Sequence, residues 1–318
     1  MADRVAMPRR FTPELETRIA LTLSCRDCDA IPKVAAAGAV VERDDGAVQV
    51  MHDGTLVRAD GYCGGWMTEI IRRLRGHHEP QEELIFHHLL PHARPGSLIV
   101  ELAAWWAYYT AWYLGAVPEA AAVCVEPDPA NLELGRANLA LNGRTAEFIN
   151  AALGGEYRPR IEFPRAVHGG TVAIESLDMP ALASRLRGRP VEMLHMDMQG
   201  CELAFLRSLR RCGTPVRFVM VSTHHESISG SVTTHADCLA ELRRQGAVIL
   251  AEHDVLESYS GDGLIAASFC RADAAIPLPP LSRHRGANPL WHPRRPGAAG
   301  WLQAATNACS RLVGGRAA

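Results

Sequence analysis

SLIVELAAWWAYYTAWYL, Ser97 to Leu114, leads through AAAVCVEPDPANLELGRANLALNG, Ala120 to Gly143, into TAEFINAALGG, Thr145 to Gly155. The stretch opens with a short apolar run that ends in an acid, Glu101. A second run, Ala121 to Val125, ends in Glu126, and a shorter third ends at Asn150. Helix-like segments fill the gaps. Strands alternating with helices predict a parallel sheet whose ligands bind beyond the strands' carboxyl ends. An acid closing the second strand is placed to hold the hydroxyls of an adenosine ribose.

The turn after the first strand separates the nucleoside cofactors. A dinucleotide sets its pyrophosphate against a glycine-rich turn, because a Cβ blocks close approach to the backbone. Here the turn reads AAWWAYY, without glycine, and no GxxxxGK[ST] occurs in the chain. NAD, FAD and a P-loop nucleotide are therefore disfavoured. S-adenosylmethionine carries no phosphate. Its ammonium suits a carboxylate at the first strand end, its ribose diol can be taken bidentately by one at the second, and its sulfonium suits aromatic faces.

These residues carry a family resemblance. The chain resembles the FkbM-type S-adenosylmethionine-dependent methyltransferases. Where that family has a motif like DxGAxxGxxT, this chain has ELAAWWAYYT, Glu101 to Thr110. The family's EPxP…NxxLN is matched by EPDPANLELGRANLALN, Glu126 to Asn142, the most specific of the matches. An asparagine–alanine pair appears in INAALGG, Ile149 to Gly155. A motif like KxDxEGxE appears as HMDMQGCE, His195 to Glu202. The resemblance runs from Glu79 to Phe269. Ala103 and Ala107 stand where the family has glycines, and Gln199 where it has an acid.

The resemblance implies an α/β, class I methyltransferase (Rossmann-like) seven-stranded sheet, with one of its last two strands antiparallel. The expected organisation is an N-terminal extension that covers the pocket (1–92), a core (93–270) and a C-terminal strap (271–318). It also implies S-adenosyl-L-methionine as cofactor. The expected contacts are Glu79, Glu101, Ala103, Tyr108, Thr110, Glu126, Pro127, Asn131, Asn150, Ala151 and Asp197.

Composition bounds the rest. The chain has 318 residues, 47% apolar and 21% charged, with formal net charge -2. This is ordinary for a globular protein and supplies no basic face for nucleic acid or anionic membrane. No apolar run reaches a membrane span of roughly 20 residues. The N-terminus shows no signal-peptide pattern, so a cytoplasmic location is expected. Nine scattered cysteines suggest free thiols, and the single CxxC, Cys25 and Cys28, lacks a second pair to complete a zinc site.

Further strands are predicted near Val40 and Val50 with a turn at Asp53-Gly54, and at 191–197, 216–222, 247–251 and 264–269. Helices are predicted at 105–114, 129–141, 180–187, 201–211 and 234–245, with Asp128 as a cap. Residues 157–175 read as a hairpin excursion and 301–313 as a terminal helix.

Methyl transfer needs an aligned nucleophile that can lose its proton. Asp197 and Gln199, at the fourth strand end, are one candidate set: the acid can accept a proton, or instead cap the next helix. THHES, Thr223 to Ser227, offers His224, His225 and Glu226. Adjacent histidines on a strand point oppositely, so at most one faces a site. A divalent metal is left open, with Asp197 and His224 as its candidate ligands. Upstream, Tyr62, Trp66 and Glu69 suit the wall of a substrate pocket, and Glu79 the cofactor ammonium. Trp105, Tyr109 and Trp112 share one helix face and read chiefly as core.

The expected activity is methyl transfer to a small-molecule acceptor, by default a hydroxyl of a sugar or natural product. The nearer alternative is an amine or guanidine of an amino-acid-like compound. The alternative of another class is a non-catalytic relative acting as a binding protein. The chain is expected to work alone or as a homodimer.

Overall fold

In the computed structural model, which describes residues 11–165 and 169–291, the apolar runs become strands of one sheet and the segments between them cover its faces. Helix α1 (Pro13–Ser24), capped by the Thr12 hydroxyl, precedes three short antiparallel strands, β1 (Val40–Val41), β2 (Val48–Val50) and β3 (Leu56–Arg58). The Asp53 carboxylate accepts from the Thr55 amide in the β2–β3 turn. Helices α2 (Gly65–Arg73) and α3 (Pro80–Leu89) then lead to the core.

The core alternates: β4 (Leu98–Leu102), α4 (Tyr108–Ala116), β5 (Ala121–Val125), α5 (Pro129–Leu141) and β6 (Glu147–Ile149). An excursion follows, β7 (Ala152–Leu153), β8 (Arg158–Pro164) and β9 (Thr171–Leu177), which forms a separate three-stranded sheet rather than a bare hairpin. The alternation resumes with α6 (Met179–Leu186), β10 (Val191–Met196), α7 (Glu202–Leu209), β11 (Val216–Thr223), the single turn α8 (Glu226–Ser229) and α9 (Thr234–Arg244). It closes with β12 (Val248–His253) and β13 (Gly263–Ser268). The helix expected at 301–313 lies outside the described residues.

The seven-stranded sheet runs β12-β13-β11-β10-β4-β5-β6. β13 is antiparallel to both neighbours, and the remaining core pairs from β11 to β6 are parallel. This is the α/β, Rossmann-like sheet of the class I methyltransferase fold. β4 and β10 are buried along their whole length, as strands covered on both faces must be, which is why they read as continuous apolar runs. The strand order reverses between β4 and β10, and the crevice beyond their carboxyl ends is the topological switch point.

Helix α4 starts at Tyr108, three residues later than its periodicity suggests. Ala103, Trp105 and Ala107 all take left-handed backbone conformations (φ 56°, 39° and 55°), so the turn cannot yet be helical. The two alanines at the family's glycine positions therefore still adopt the glycine-like conformation. Close packing is relieved on the partner element instead: a Cβ at Gly135 of α5 would stand 3.1 Å from the Trp105 carbonyl oxygen and 3.2 Å from the Ala107 methyl.

The N-terminal elements share the main core. Ile70, Leu84, Phe86 and Leu89 belong to the same buried cluster as Ile99, Tyr108, Trp112 and Phe218. Asn142 of the second motif accepts from the Leu56 amide and donates to the Leu56 carbonyl. Asn138 accepts from the Arg58 amide and donates to the Trp106 carbonyl. These two asparagines thus fasten β3 to α5 and to the first turn. No helix among the described residues is long and apolar enough to cross a membrane.

Candidate active site

The strand ends and the α2–α3 segment line a partly open cavity. β4 contributes Glu101, and the turn after it Ala103, Ala104, Trp105 and Trp106. Beyond β5 come Glu126, Pro127, Asp128 and Asn131. Beyond β10 come Asp197, Met198 and Gln199. Tyr62, His78 and Glu79 close it from the N-terminal side, Leu153 and Phe163 from the small sheet, and Tyr109 and His195 form its floor.

Glu126 is the best-defined polar group there. Its Oε2 accepts from the Trp105 amide (3.0 Å), and its Oε1 accepts from the Asp128 amide (2.9 Å) and from Asn131 (3.3 Å). Burial pushes its carboxyl up to about 7 despite these donors. A carboxylate has about four lone-pair sites. Three are used, so a bidentate grip on a diol requires the long Asn131 contact to yield. Asn150 and Ala151 do not line the cavity. Asn150 donates to the Glu126 and Pro127 carbonyls and so fixes the loop that carries Glu126, while Ala151 is core.

Tyr108 and Thr110 are likewise corrected. Because α4 starts late, Tyr109 faces the cavity and Tyr108 points into the core, its hydroxyl 3.1 Å from His52 Nδ1. Thr110 is fully buried, and its amide donates to Glu101 Oε2 at 2.8 Å. It holds the Glu101 carboxylate, whose pKa burial raises.

A paired network forms the floor and one wall. His195 meets Glu82 at 2.6 Å, and Glu82 accepts from Ser222 at 2.8 Å. Tyr109 packs on the His195 ring at 4.2 Å and donates to Glu79 at 3.3 Å. His78 lies between Glu83 (2.6 Å) and Glu79 (3.3 Å). Burial opposes charge on His78, but these two acids lift its imidazole to about 10. Burial raises the Glu79 carboxyl, with His78 offsetting part of the effect.

Sequence alone did not single out His78, His195, Trp106 or Phe163. His78 lies in a GHHE run, Gly76 to Glu79, but nothing marks which of its histidines turns inward. His195 begins the fourth motif, yet as a strand residue it reads as core.

A second, smaller cavity adjoins the first and shares Tyr62, His78, Glu79, Trp105, Asp197 and Gln199 with it. Arg18, Trp66 and Asp262 are among its remaining walls. The Asp197–Gln199 turn is tight: Gln199 (φ 53°) and Gly200 (φ 103°) are both left-handed, and a Cβ at Gly200 would fall 2.9 Å from the Ser229 Cα. This turn aims Gln199 Nε2 at Asp197 Oδ1, 3.0 Å away.

The two histidines after β11 point in different directions, the chain turning into α8 at His225. His224 is fully buried behind the second cavity. Its Nε2 lies 3.0 Å from Asp197 and 3.6 Å from Asp262, and its Nδ1 lies 2.8 Å from Glu202. Burial disfavours its charge, yet Glu202, Asp262 and Asp197 raise its pKa well above the ordinary value. Both ring nitrogens face carboxylates, so His224 is a held cation with no lone pair for a metal or for proton abstraction. His225 points away, caps α8 and stacks on Trp291 at 4.3 Å. Glu226 is exposed on α8. Glu69 pairs with Arg72 at 2.7 Å on the outer side of α2 and lines neither cavity. His225, Glu226 and Glu69 are thus removed from the site by the direction of their elements.

Asp197 has a different balance. Burial pushes its pKa up, but His224 and Gln199 hold it below the ordinary carboxylate value. At Asp262 burial, helped by Asp197 and Glu79, outweighs the more distant His224 and pushes the carboxyl up to about 7.

Among the described residues, His52, His77 and Glu83 bring three potential ligating atoms within 4.8 Å of one another. They are already joined: His77 Nδ1 bonds Glu83, and Tyr108 bridges His52 and Glu83. The His52 and His77 rings stack at 4.4 Å and 20°, so their in-plane lone pairs run side by side rather than converging. The group is a buried hydrogen-bond network. Cys25 and Cys28 are buried free thiols, whose pKa burial raises, Cys25 to about 12.

No protein-family model and no curated protein matches the chain. Solved structures of similar fold include an S-adenosylmethionine-dependent methyltransferase from Aquifex aeolicus (11% identity, covering 60% of this chain and 90% of that one, TM-score 0.38). They also include an O-methyltransferase from Bacillus cereus in complex with S-adenosylhomocysteine (15%, 59% and 80%, TM-score 0.36). A third is a putative rRNA methylase from Clostridium thermocellum (9%, 59% and 94%, TM-score 0.41). At such identities and TM-scores, cofactor and acceptor rest on this chain's own residues.

Proposed function

We propose that this chain is an S-adenosylmethionine-dependent methyltransferase acting on a small molecule. The observation that carries this reading is the first cavity. It lies at the switch point, runs between two strand-end acids, Glu101 and Glu126, and has an aromatic wall instead of a phosphate cradle. The Ala103 and Ala104 methyl groups stand where a pyrophosphate would need bare backbone. The residues fit the cofactor's chemistry. Glu126 would hold a ribose hydroxyl and Glu79, with Glu101 behind it, the ammonium. Trp105, Trp106, Leu153 and Phe163 would cover the apolar faces.

S-adenosylmethionine, when bound, supplies an electrophilic methyl group. This chain's residues do the rest. Tyr109 and His78 orient Glu79, the His224 cation keeps Asp197 ionised, and the aromatic wall excludes water. A proton leaving the acceptor goes to Asp197 or Asp262, because His224 already carries its own.

The resemblance implies a hydroxyl acceptor. A nitrogen acceptor is the second reading, favoured by the carboxylates Glu79, Asp197 and Asp262 around the second cavity. The test of the cofactor is calorimetric titration of the purified chain with S-adenosylmethionine and S-adenosylhomocysteine. Binding is expected for both, weakened about tenfold or more (~1.4 kcal/mol) in Glu126→Ala. Absence of binding by the native chain would favour the non-catalytic relative.

A further inference from the structure

The second cavity is lined by groups of both charges. Glu79, Asp197 and Asp262 line it, with Gln199 beside them. Gln199 Nε2 is spent on Asp197, but its Oε1 is buried and accepts no hydrogen bond. A buried carbonyl oxygen without a donor is costly, and a ligand N–H is what it lacks. Arg18 of α1 lines the same cavity. Its Nη1 donates to the Ser260 carbonyl at 2.6 Å, and its guanidinium lies over the Trp66 ring at 5.6 Å from the centroid. Among the described residues no carboxylate lies within 4.0 Å of it, although three line the same cavity. A guanidinium held by a carbonyl and an aromatic face keeps donors for a bidentate anion.

The charges behind the walls do not cancel these. His78 and His224 are cationic, but each is matched by a second acid outside the cavity, Glu83 and Glu202. The acidic groups therefore stay net negative, and Arg18 keeps its own charge beside them. A neutral sugar would satisfy neither charge, and a simple anion would face three carboxylates.

We propose that the acceptor is a small zwitterionic amino compound, its amino group among Asp197, Asp262 and Gln199 Oε1 and its carboxylate on Arg18. This rests on the methyltransferase reading for the reaction, though not for the binding. Transfer to nitrogen forms one N–C bond and breaks the methyl–sulfur bond, whose electron pair stays on sulfur. The acceptor's ammonium must first lose a proton. Asp262, which burial holds near neutrality, takes it, and the methylated product leaves as an ammonium again.

The test is a thermal-shift screen of the full chain against the standard amino acids, their decarboxylated amines and neutral sugars, with and without S-adenosylhomocysteine, followed by calorimetry of hits. At least one amino acid is expected to stabilise the protein. Arg18→Met should weaken it about tenfold or more while changing the matched amine by less than about twofold, and Arg18→Lys, which keeps the charge but not the planar pair of donors, should restore only part of the loss. Asp262→Asn should weaken acid and amine alike. Stabilisation by sugars alone, no Arg18-dependent shift across the panel, or equal loss of acid and amine in Arg18→Met overturns the proposal. If S-adenosylhomocysteine fails to bind while an Arg18-dependent amino acid still does, the cavity assignment stands and methyl transfer falls.

Discussion

At the residue scale, burial sets the chemistry of Glu126. Its carboxyl sits near 7 because water is excluded, while a ribose hydroxyl needs the ionised form as acceptor. The sign follows directly. Above about pH 7 the carboxylate is present and cofactor affinity is at its plateau. Below it, each pH unit is expected to cost up to about tenfold in affinity. Calorimetry from pH 8 to 5.5 should show this fall, and Glu126→Gln should bind weakly with a flat profile. The same shift acts on stability. A pKa raised from 4.5 to about 7 lets the folded chain hold a proton that the unfolded chain has lost, so this group's contribution declines as pH rises across that window. Asp262 acts in the same direction, its folded value also being about 7. The Ala103 and Ala107 conformations belong to this scale too. Their left-handed backbone costs roughly 1–2 kcal/mol each, and only the packing of α4 and α5 around the turn sustains it.

At the element scale, the second motif does more than place an acid. Its first half puts Glu126 at the strand end and caps α5 with Asp128. Its second half points Asn138 and Asn142 at β3 and the first turn. Asn138 is fully buried and satisfies one backbone donor and one backbone acceptor in distant segments. Asn138→Leu leaves both unpaired and is expected to lower stability by about 2–4 kcal/mol, a loss of many degrees in Tm by calorimetry. A loss below about 1 kcal/mol would show that solvent replaces these bonds and that β3 is not fastened there. Such asparagines look like ordinary helix residues in sequence, because these partners lie 32 to 86 positions away.

At the scale of the whole molecule, the N-terminal segment is part of the core as well as a cover. Ile70, Ile85, Phe86 and Leu89 are at most 1% exposed, in one cluster with the residues of β4 and α4. Gln81 of α3 bonds the Glu257 and Ser282 carbonyls and the Tyr259 amide, and Arg18 and Thr22 of α1 bond the same loop after β12. Removing several large buried side chains at about 2–5 kcal/mol each exceeds the usual 5–15 kcal/mol of net stability. Deletion of residues 1–92 is therefore expected to abolish cooperative thermal unfolding as seen by circular dichroism. A truncated chain that melted sharply would show the core to be autonomous.

The run from Ser97 to Leu153 determined the sheet, the switch point and the Glu101 and Glu126 strand ends, since period, length and strand-end acids are local properties. The same local logic placed Asp197 and Gln199 at the end of β10. Tertiary structure alone decided which polar residues meet. It shortened α4 by a left-handed turn and so exchanged Tyr108 for Tyr109. It took Glu69, His225 and Glu226 out of the site and brought in Arg18, His78, His195 and Asp262. The reason is physical: a side chain's chemistry is written in its own letter, but its burial, partners and pKa belong to segments that only folding brings within reach.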